Sequence, residues 1–347
     1  MFKKVFYSVV IAIILFLVVA LFLPQTVHVE RSIHIERPAA TVFTVLNSYR
    51  QFADWSPWTE RDPDAIYELS GPEAGPGARL SWVGDPRLVG TGWQEIVESQ
   101  PWSLVRMQID FDQQGVAQSY FRLEPTQDGT LLTWGFDTDL LAGHGWFGGV
   151  LARYFGLFFD TWIGSDYEAG LARLKSYLES LPQTDFSDLE VELIEVQPVD
   201  ILYVAGNSGT WPVDISASLA AAYQEITAFM AEHGIDRTAQ PMTITRIGAD
   251  GRYEVEAAIP VRLPEDLPPA PDSQVRAGQS PAGRSVRVVH RGAHDRMGPT
   301  YEKLAAWMAA HGLTEGRVSW EQYISDPGET PEDELITHIY FRIADDG

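Results

Sequence analysis

The sequence predicts a mixed α+β protein that begins with a transmembrane helix, and three observations carry that prediction. An uncharged apolar segment at residues 5–23 opens the chain. Short stretches of alternating apolar and polar residues then lie between a short and a long helical segment, as in an antiparallel sheet with packed helices. Finally, YQEITAFMAEHG at 223–234 returns as YEKLAAWMAAHG at 301–312, so the second half of the chain contains an internal repeat.

The first element is the apolar segment VFYSVVIAIILFLVVALFL, which is long enough to cross a bilayer as a helix. Lys3 and Lys4 precede it and place the N-terminus in the cytoplasm. We expect residues 1–24 to form a single-pass anchor in the cell membrane and everything after Pro24 to be extracytoplasmic. A cleaved signal peptide is the alternative, but its apolar region would be unusually long and no clear small-x-small cleavage site follows.

Composition limits the function classes. The formal net charge of −23 repels nucleic-acid phosphates, so no nucleic-acid partner is expected. The absence of cysteine excludes disulfides and thiol chemistry, and the eight histidines show no close metal-ligand spacing. Neither a metal nor another cofactor is expected, and the oligomeric state is left open.

Residues 27–181 are predicted to form one α+β domain. VHVERSIHIER at 27–37 alternates as a strand, and Pro38 then opens a short helix. Five alternating stretches, punctuated by Gly, Pro and Asp, predict an antiparallel meander. Residues 147–181 form a long apolar-striped helix in which Gly156 and Gly164 suggest a bend or a close contact.

Four segments of this domain carry a family resemblance: VERSIHIERPAATVFTVL, FADWSPW at 52–58, GPEAGPGARLSW at 71–82 and GSDYEAGLARLKSYL at 164–178. In this order they resemble the SRPBCC family, also called START-like or polyketide cyclase-like. The resemblance implies a helix-grip fold, in which a curved antiparallel sheet wraps around the long helix and leaves an apolar cavity for a hydrophobic ligand. Trp55 and Trp82 are then candidate ligand contacts, and a filled tryptophan-rich core is the alternative.

Residues 182–189, PQTDFSDL, are polar and turn-rich and are predicted to be a linker. The second domain, 190–347, contains two strand-helix-strand-strand copies at about 190–263 and 285–345. In the first copy one strand is expected over 191–207, followed by a helix that Gly234 ends and by two strands. Residues 264–284 hold five prolines and are expected to be a loop that joins the copies.

The second copy carries the motifs HRGAHDRMGPTYEKLAAWM at 290–308 and WEQYISDPGETPEDELITHIYFRI at 320–343. With the tandem βαββ order, these motifs resemble the GyrI-like family, also known as the AraC effector-binding or SOUL-like domain. The resemblance implies a small-molecule cleft at the seam between the copies. A Glu at the Glu-x-Tyr position of this family lies deep in an aromatic pocket, engages cationic or polar ligands, and in some members takes part in hydrolysis.

Glu321 matches that position, and Tyr323 lies two residues further along the predicted strand, so both face one side. A carboxylate in an aromatic cleft can pair with a cation or act as an acid or base. An exposed strand Glu on an acidic protein is the alternative. The first copy has PMTITRIG at this place and lacks the Glu-x-Tyr pair, so one asymmetric site is expected. The candidate ligand contacts of this domain are Glu321, Tyr323, Tyr301, Trp320 and Tyr203.

The leading hypothesis is a membrane-anchored, extracytoplasmic protein that binds small molecules. A hydrophobic ligand would occupy the START-like cavity, and an amphipathic or cationic ligand would occupy the GyrI-like cleft. The second hypothesis is a hydrolase in which Glu321 and Tyr323 are catalytic, and the third is a non-binding scaffold with filled cores. GyrI-like domains often follow DNA-binding domains; an anchor and a START-like domain replace that partner here, which argues against transcription regulation.

Overall fold

A computed structural model describes residues 2–111, 115–142, 145–206, 213–264 and 273–344. The chain divides after Asp185 into two compact units. Helix α1 (Phe2–Phe22) opens the first unit. Within the described residues it is the one helix long and apolar enough to cross a membrane, and a signal sequence would meet the same criteria.

The remainder of the first unit is a seven-stranded antiparallel sheet with four short helices and one long helix. The sheet order is β1-β7-β6-β5-β4-β3-β2. The strands are β1 (Thr26–Ile35), β2 (Ile66–Ser70), β3 (Arg79–Val83), β4 (Thr91–Gln100), β5 (Leu104–Phe111), β6 (Val116–Pro125) and β7 (Thr130–Asp139). The helices are α2 (Ala39–Leu46), α3 (Phe52–Trp55), α4 (Pro57–Arg61), α5 (Trp146–Gly156) and α6 (Phe159–Ser180).

The helix predicted over 147–181 is interrupted, because α5 ends at Gly156 and α6 begins at Phe159. Gly164 of α6 lies against the guanidinium of Arg31 on β1, and a Cβ there would lie 2.2 Å from Arg31 Nη2. Gly156 therefore lies at the break between the two helices, and Gly164 lies at the close contact with β1. Leu171, Leu174 and Leu178 of α6 enter the core between the helix and the sheet, which confirms the expected helix-grip architecture.

The second unit is an eight-stranded antiparallel sheet in the order β12-β9-β11-β10-β14-β15-β13-β8, with two helices. The first copy contains β8 (Val191–Val196), β9 (Asp200–Gly206), α7 (Val213–His233), β10 (Met242–Ile247) and β11 (Tyr253–Pro260). The second copy contains β12 (Arg276–Gln279), β13 (Gly283–Arg291), α8 (Gly298–Ala310), β14 (Glu315–Tyr323) and β15 (Ile336–Ile343). Short 3₁₀ turns precede α8 and β15.

Two expectations about the opening strand of each copy are wrong. The single strand predicted over 191–207 is broken into β8 and β9, and the predicted loop 264–284 contains β12 before the chain enters β13. Pro198 and Pro281 lie at the two breaks, where a residue without an N–H cannot continue a hydrogen-bonded ladder. The two breaks are neighbours, because the Ser280 amide donates to the Val199 carbonyl at 2.9 Å.

These breaks curl the sheet into a barrel. Strand β8 is at one edge of the sheet and β9 is next to the opposite edge, yet only residues 197–199 separate them. Such a connection spans at most about 14 Å. The two edges must therefore approach one another, so the sheet has an inner and an outer face. Helix α7 packs on the outer face through Ile226 and Phe229, and α8 packs there through Leu304 and Met308.

Candidate functional site

The centre of the second domain lies between the paired strands β10 and β14. Thr243 and Glu321 are directly opposite each other, flanked by the pairs Met242–Gln322 and Ile244–Trp320. The repeat offset of 78 residues places Thr243 on Glu321, Met242 on Trp320 and Ile244 on Gln322. The flanking pairs therefore exchange under the repeat. A pseudo-twofold axis passes between Thr243 and Glu321.

The side chains on this axis form a chain of hydrogen bonds on the outer, helix-bearing face. Tyr301 of α8 donates its hydroxyl to Glu321 Oε1 at 2.5 Å, and Tyr323 donates to Glu321 Oε2 at 3.0 Å. In the first copy, the Tyr223 hydroxyl and Thr243 Oγ1 are 3.0 Å apart, and Thr243 Oγ1 is 2.8 Å from the Tyr323 hydroxyl. The bond between Tyr223 and Thr243 thus repeats, without charge, the bond between Tyr301 and Glu321.

The electrostatics keep the tyrosines as donors. Burial raises the pKa of the Tyr301 and Tyr323 phenols, and the negative charge of Glu321 raises both further. Both hydroxyls therefore stay protonated at physiological pH. Within the described part of the chain, no lysine, arginine or histidine forms an ion pair with Glu321, and the carboxylate remains partly exposed. The site can accept a cation that the protein does not itself supply.

His294 adds an aromatic group at the edge of this site. Its ring centroid lies 4.9 Å from that of Tyr323. Burial lowers the pKa of His294, an effect that the nearby Glu321 charge partly opposes. Phe341 packs edge-on against Tyr301 at a centroid distance of 5.8 Å. The two tyrosines that contact the carboxylate are thus each packed against a further aromatic ring.

The structure brings Glu321, Tyr323 and Tyr301 together, but it does not bring Trp320 or Tyr203 to them. Trp320 is 4% exposed and packs with Tyr203 in the cluster that fills the inside of the barrel. Its ring stacks on Tyr340 at 4.8 Å. The reason is the two-residue period of a strand: Trp320 is adjacent to Glu321 and must face the opposite side.

Three side chains of this site were not among the residues predicted from the sequence to contact a ligand: Thr243, Tyr223 and His294. The signal for the first two was the repeat itself, because the offset of 78 residues maps Thr243 onto Glu321 and Tyr223 onto Tyr301. His294 lies within the motif HRGAHDRMGPTYEKLAAWM, but no spacing in the sequence relates it to Glu321. Its position depends on the 3₁₀ turn His294–Arg296 that precedes α8.

The first domain contains a cavity of about 240 Å³ between the sheet and α6. Trp82 lines it, and the Trp82 indole donates to the Val89 carbonyl at 3.2 Å. Most of the wall is apolar or aromatic. The lining residues are Phe52, Trp58, Arg61, Tyr67, Trp82, Leu88, Val89, Gln94, Ile109, Phe111, Phe136, Ile163, Asp166 and Tyr167.

A few polar groups interrupt the apolar wall of this cavity. Arg61 Nη1 donates to Asp166 Oδ2 at 3.1 Å, and Trp58 Nε1 lies 3.4 Å from the same oxygen. The buried Gln94 side chain makes no hydrogen bond to another described residue. A mostly apolar cavity with a few convergent polar groups is typical of a small-molecule site.

Trp55 occupies a different position from Trp82. It is 3% exposed and packs edge-on against Phe52, Phe121 and Trp134. It contacts a void of only about 20 Å³ beside the main cavity. Each of the two alternatives for the tryptophans therefore applies to some of them. Trp58 and Trp82 line the cavity, whereas Trp55 and Trp134 belong to the packed core.

Two family models match the chain. Residues 26–179 match "Polyketide cyclase / dehydrase and lipid transport", and residues 190–344 match "GyrI-like small molecule binding domain". No curated protein matches the chain.

Among solved structures, a hydrolase from Listeria innocua is similar at 16% identity and a TM-score of 0.33, covering 45% of this chain and 92% of that one. The EcmrR C-terminal domain is similar at 19% identity and a TM-score of 0.37, with 45% and 98% covered. The di-domain ARO/CYC StfQ from the steffimycin biosynthetic pathway is similar at 15% identity and 0.34, with 45% and 52% covered. Scores this low assign no activity to the chain.

The two family matches agree with the two architectures described above. The helix-grip unit holds the cavity, and the duplicated unit holds the carboxylate on its pseudo-twofold axis. The chain therefore joins a polyketide cyclase-like domain to a GyrI-like domain behind an N-terminal apolar helix.

Proposed function

We propose that this protein is a membrane-anchored, extracytoplasmic binder of small molecules, with one site in each domain. The observation that carries the proposal is the Glu321 carboxylate, which accepts hydrogen bonds from two tyrosines and has no ion-pair partner in the described residues. Both domains belong to families whose descriptions name lipid transport or small-molecule binding, which supports it. We propose residues 27–181 and 190–347 as the functional domains and 182–189 as their linker.

The GyrI-like site favours an amphipathic cation. A ligand cation near Glu321 gains a charge–charge attraction that water only partly screens at a half-buried site. The rings of Tyr301, Tyr323 and His294 present aromatic surfaces next to the carboxylate, and such faces attract cations by about 0.5–2 kcal/mol each. Thr243 offers no charge on the other side of the axis, so a single positive group is matched by a single carboxylate.

Calorimetric titration of the full chain in detergent tests this site. The probes are tetraphenylphosphonium and its uncharged relative triphenylphosphine oxide. The Glu321→Gln variant is expected to lose about tenfold in affinity for the cation, since about 1.4 kcal/mol of attraction corresponds to that factor, and to keep its affinity for the neutral compound. Glu254→Gln, at an exposed position of β11, is the matched control and should bind both compounds like the parent. Equal losses for the two compounds, or none, would contradict the proposal.

The START-like cavity favours an uncharged, largely apolar compound, because its walls are aromatic and its one acid, Asp166, is already paired with Arg61. Nile red binding tests this site by fluorescence. Leu88→Trp adds a large side chain to the lining at a position that is 47% exposed, and it is expected to weaken binding several-fold. Leu69→Trp, at a position that is 55% exposed and outside the lining, should leave binding unchanged.

Hydrolysis of a bound compound is the second candidate function. The favouring observation is that Glu321, Tyr323 and His294 converge on one half-buried spot, where burial keeps His294 largely neutral by lowering its pKa. A carboxylate base beside a phenolic donor can activate water and protonate a leaving group. The test is turnover of ester and epoxide libraries by the parent and by Glu321→Gln. A variant that kept the turnover of a hydrolysed compound would exclude a catalytic role for Glu321.

The orientation is tested with an introduced thiol, because the chain has no cysteine. Ser176 is exposed on α6. We expect Ser176→Cys to react with a membrane-impermeant maleimide in intact cells. Labelling only after lysis would refute the extracytoplasmic orientation.

A further inference from the structure

A cluster of large apolar side chains is exposed where α5 gives way to α6. Phe155 and Leu157 are 56% exposed, and Phe158 and Trp162 are 53% exposed. We call these four residues the elbow. Phe158 and Trp162 stack on each other at 5.7 Å, and Phe155 and Leu157 adjoin them in the chain. Contiguous apolar patches of this kind on a protein surface mark interaction sites.

Helix α5, which leads into the elbow, contacts helix α1 through the two residues that precede Phe155. The Tyr154 ring stacks on Phe16 at a centroid distance of 4.2 Å, and the Tyr154 hydroxyl donates to the Phe16 carbonyl at 2.7 Å. Arg153 donates to the Ala20 carbonyl at 2.7 Å, and the same carbonyl accepts from the Leu23 amide at 3.3 Å at the end of α1. Ala20 is fully buried. Helix α5 is therefore packed against the C-terminal part of α1.

The position of this contact along α1 fixes the depth of α5. Helix α1 has 21 residues and ends at Phe22, so it is about 31 Å long at 1.5 Å per residue, close to the thickness of a bilayer's hydrocarbon core. Phe16 lies six residues before that end, which is about 9 Å inside the span. A helix that touches Phe16 must enter the same leaflet. Interfacial helices bury their apolar faces to about 5–10 Å, which is the same range.

We propose that the elbow inserts into the outer leaflet of the membrane that α1 spans, so that the polyketide cyclase-like domain lies on the bilayer surface rather than hanging from a tether. The proposal rests on the membrane anchor of the proposed function. The occupant of the apolar surface is lipid, at the level of the glycerol and upper acyl chains, where aromatic side chains concentrate. Asp160, the one acid of residues 146–163, is paired with Arg31 and adds no unpaired charge.

Charge argues for hydrophobic rather than electrostatic docking. The formal net charge of −23 repels anionic headgroups, so attraction to an anionic surface cannot hold the domain down. We therefore expect insertion into purely zwitterionic bilayers, and we expect anionic lipid not to deepen it.

Spin labels on the full chain in phosphatidylcholine proteoliposomes test this proposal. Single cysteines are introduced as Phe158→Cys and Trp162→Cys, and the cysteine-free background makes each label unique. Leu15→Cys on α1, at a position that is 61% exposed, is the membrane reference. Ser176→Cys is the aqueous reference, about 21 Å along α6 from Trp162. Oxygen, which concentrates in lipid, and a water-soluble nickel chelate compete as relaxation agents.

The expected result is an oxygen-to-nickel accessibility ratio at 158 and 162 that is several-fold above that at 176 and close to that at 15. Nickel accessibility at 158 and 162 together with oxygen accessibility at 15 would overturn the docking and leave the anchor standing. Nickel accessibility at all four positions would remove the anchor, and the docking with it. Protection from both reagents at 158 and 162 would show that protein, such as a second copy, covers the elbow. Insertion that requires phosphatidylglycerol would also overturn the proposal.

Discussion

The pseudo-twofold axis makes a quantitative prediction at Thr243. Thr243→Glu would place a second carboxylate directly across the strand pair from Glu321. Side chains in opposite positions of an antiparallel pair have Cβ atoms about 5 Å apart. Two unit charges at that distance repel by about 3 kcal/mol at an effective dielectric constant of about 20. Because Glu321 is partly exposed, solvent screening reduces the expected cost to about 1–2 kcal/mol.

The sign of the pH dependence follows from the repulsion. The pKa of the introduced carboxyl is higher in the folded protein than in the unfolded chain, so the folded state holds an extra proton between those two values. The folding stability of Thr243→Glu should therefore be retained below about pH 4 and fall by about 1–2 kcal/mol as the pH rises through about 4 to 6. Thr243→Gln has nearly the same size without the charge, and it should show no such fall.

Amide hydrogen exchange of the β10 and β14 peptides, measured by mass spectrometry, reports the opening of this domain separately from the other. Comparing the two variants at each pH removes the intrinsic pH dependence of exchange. Equal protection of Thr243→Glu and Thr243→Gln at acid and neutral pH would mean that position 243 does not face Glu321. That result would refute the pseudo-twofold arrangement.

Three further predictions concern stability and the site. Gly135→Ala should destabilise the first domain by about 3 kcal/mol in urea denaturation, because a Cβ there would lie 2.1 Å from Tyr120 Cζ; Gly145→Ala, which meets nothing within 4 Å, should be close to neutral. Burial lowers the pKa of His338, so the second domain should lose stability as the pH falls below about 6.5. His338→Gln should flatten that part of the plot of thermal stability against pH. An unchanged plot would contradict the buried environment assigned to His338. Tyr301→Phe removes one donor to Glu321 and should alter cation affinity in calorimetry, whereas Tyr253→Phe, at a position 47% exposed on β11, should not.

Much of the fold could be predicted because its signals are local and repeated. The alternation of strands and the apolar stripe of the long helix depend on short-range periodicity, and the repeat is legible in the sequence itself. The meander and the two copies appear in the structure, and the apolar stripe appears in α6, although the helix predicted over 147–181 is interrupted after Gly156. The broken strands could not be predicted in the same way. Val191 to Gly206 is nearly continuous in strand-forming residues, and one proline, Pro198, is compatible with an edge position as well as with a corner.

The candidate site was only partly accessible from the sequence, and for a physical reason. Glu321 and Tyr323 are two residues apart, so a local rule places them on one face. Thr243 and Tyr223 reach the site through strand pairing and helix packing over long sequence distances. The repeat relates Tyr223 to Tyr301 and Thr243 to Glu321. The first pair has kept the tyrosine, whereas the second pair differs in charge. The ligand roles of all these residues remain predictions for the experiments above.

Strands β8 and β12 each pair with a strand of the other copy, and this exchange has a consequence for the asymmetry of the site. Each copy supplies the strand that completes the other copy's edge: β8 pairs with β13, and β12 pairs with β9. One copy alone would expose two unpaired edges and would be expected to recruit an identical partner. In such a homodimer the axis would hold the same residue twice, either two threonines or two carboxylates in mutual repulsion. Joining the copies in one chain is therefore the condition that allows a single charge to occupy the axis of a twofold barrel.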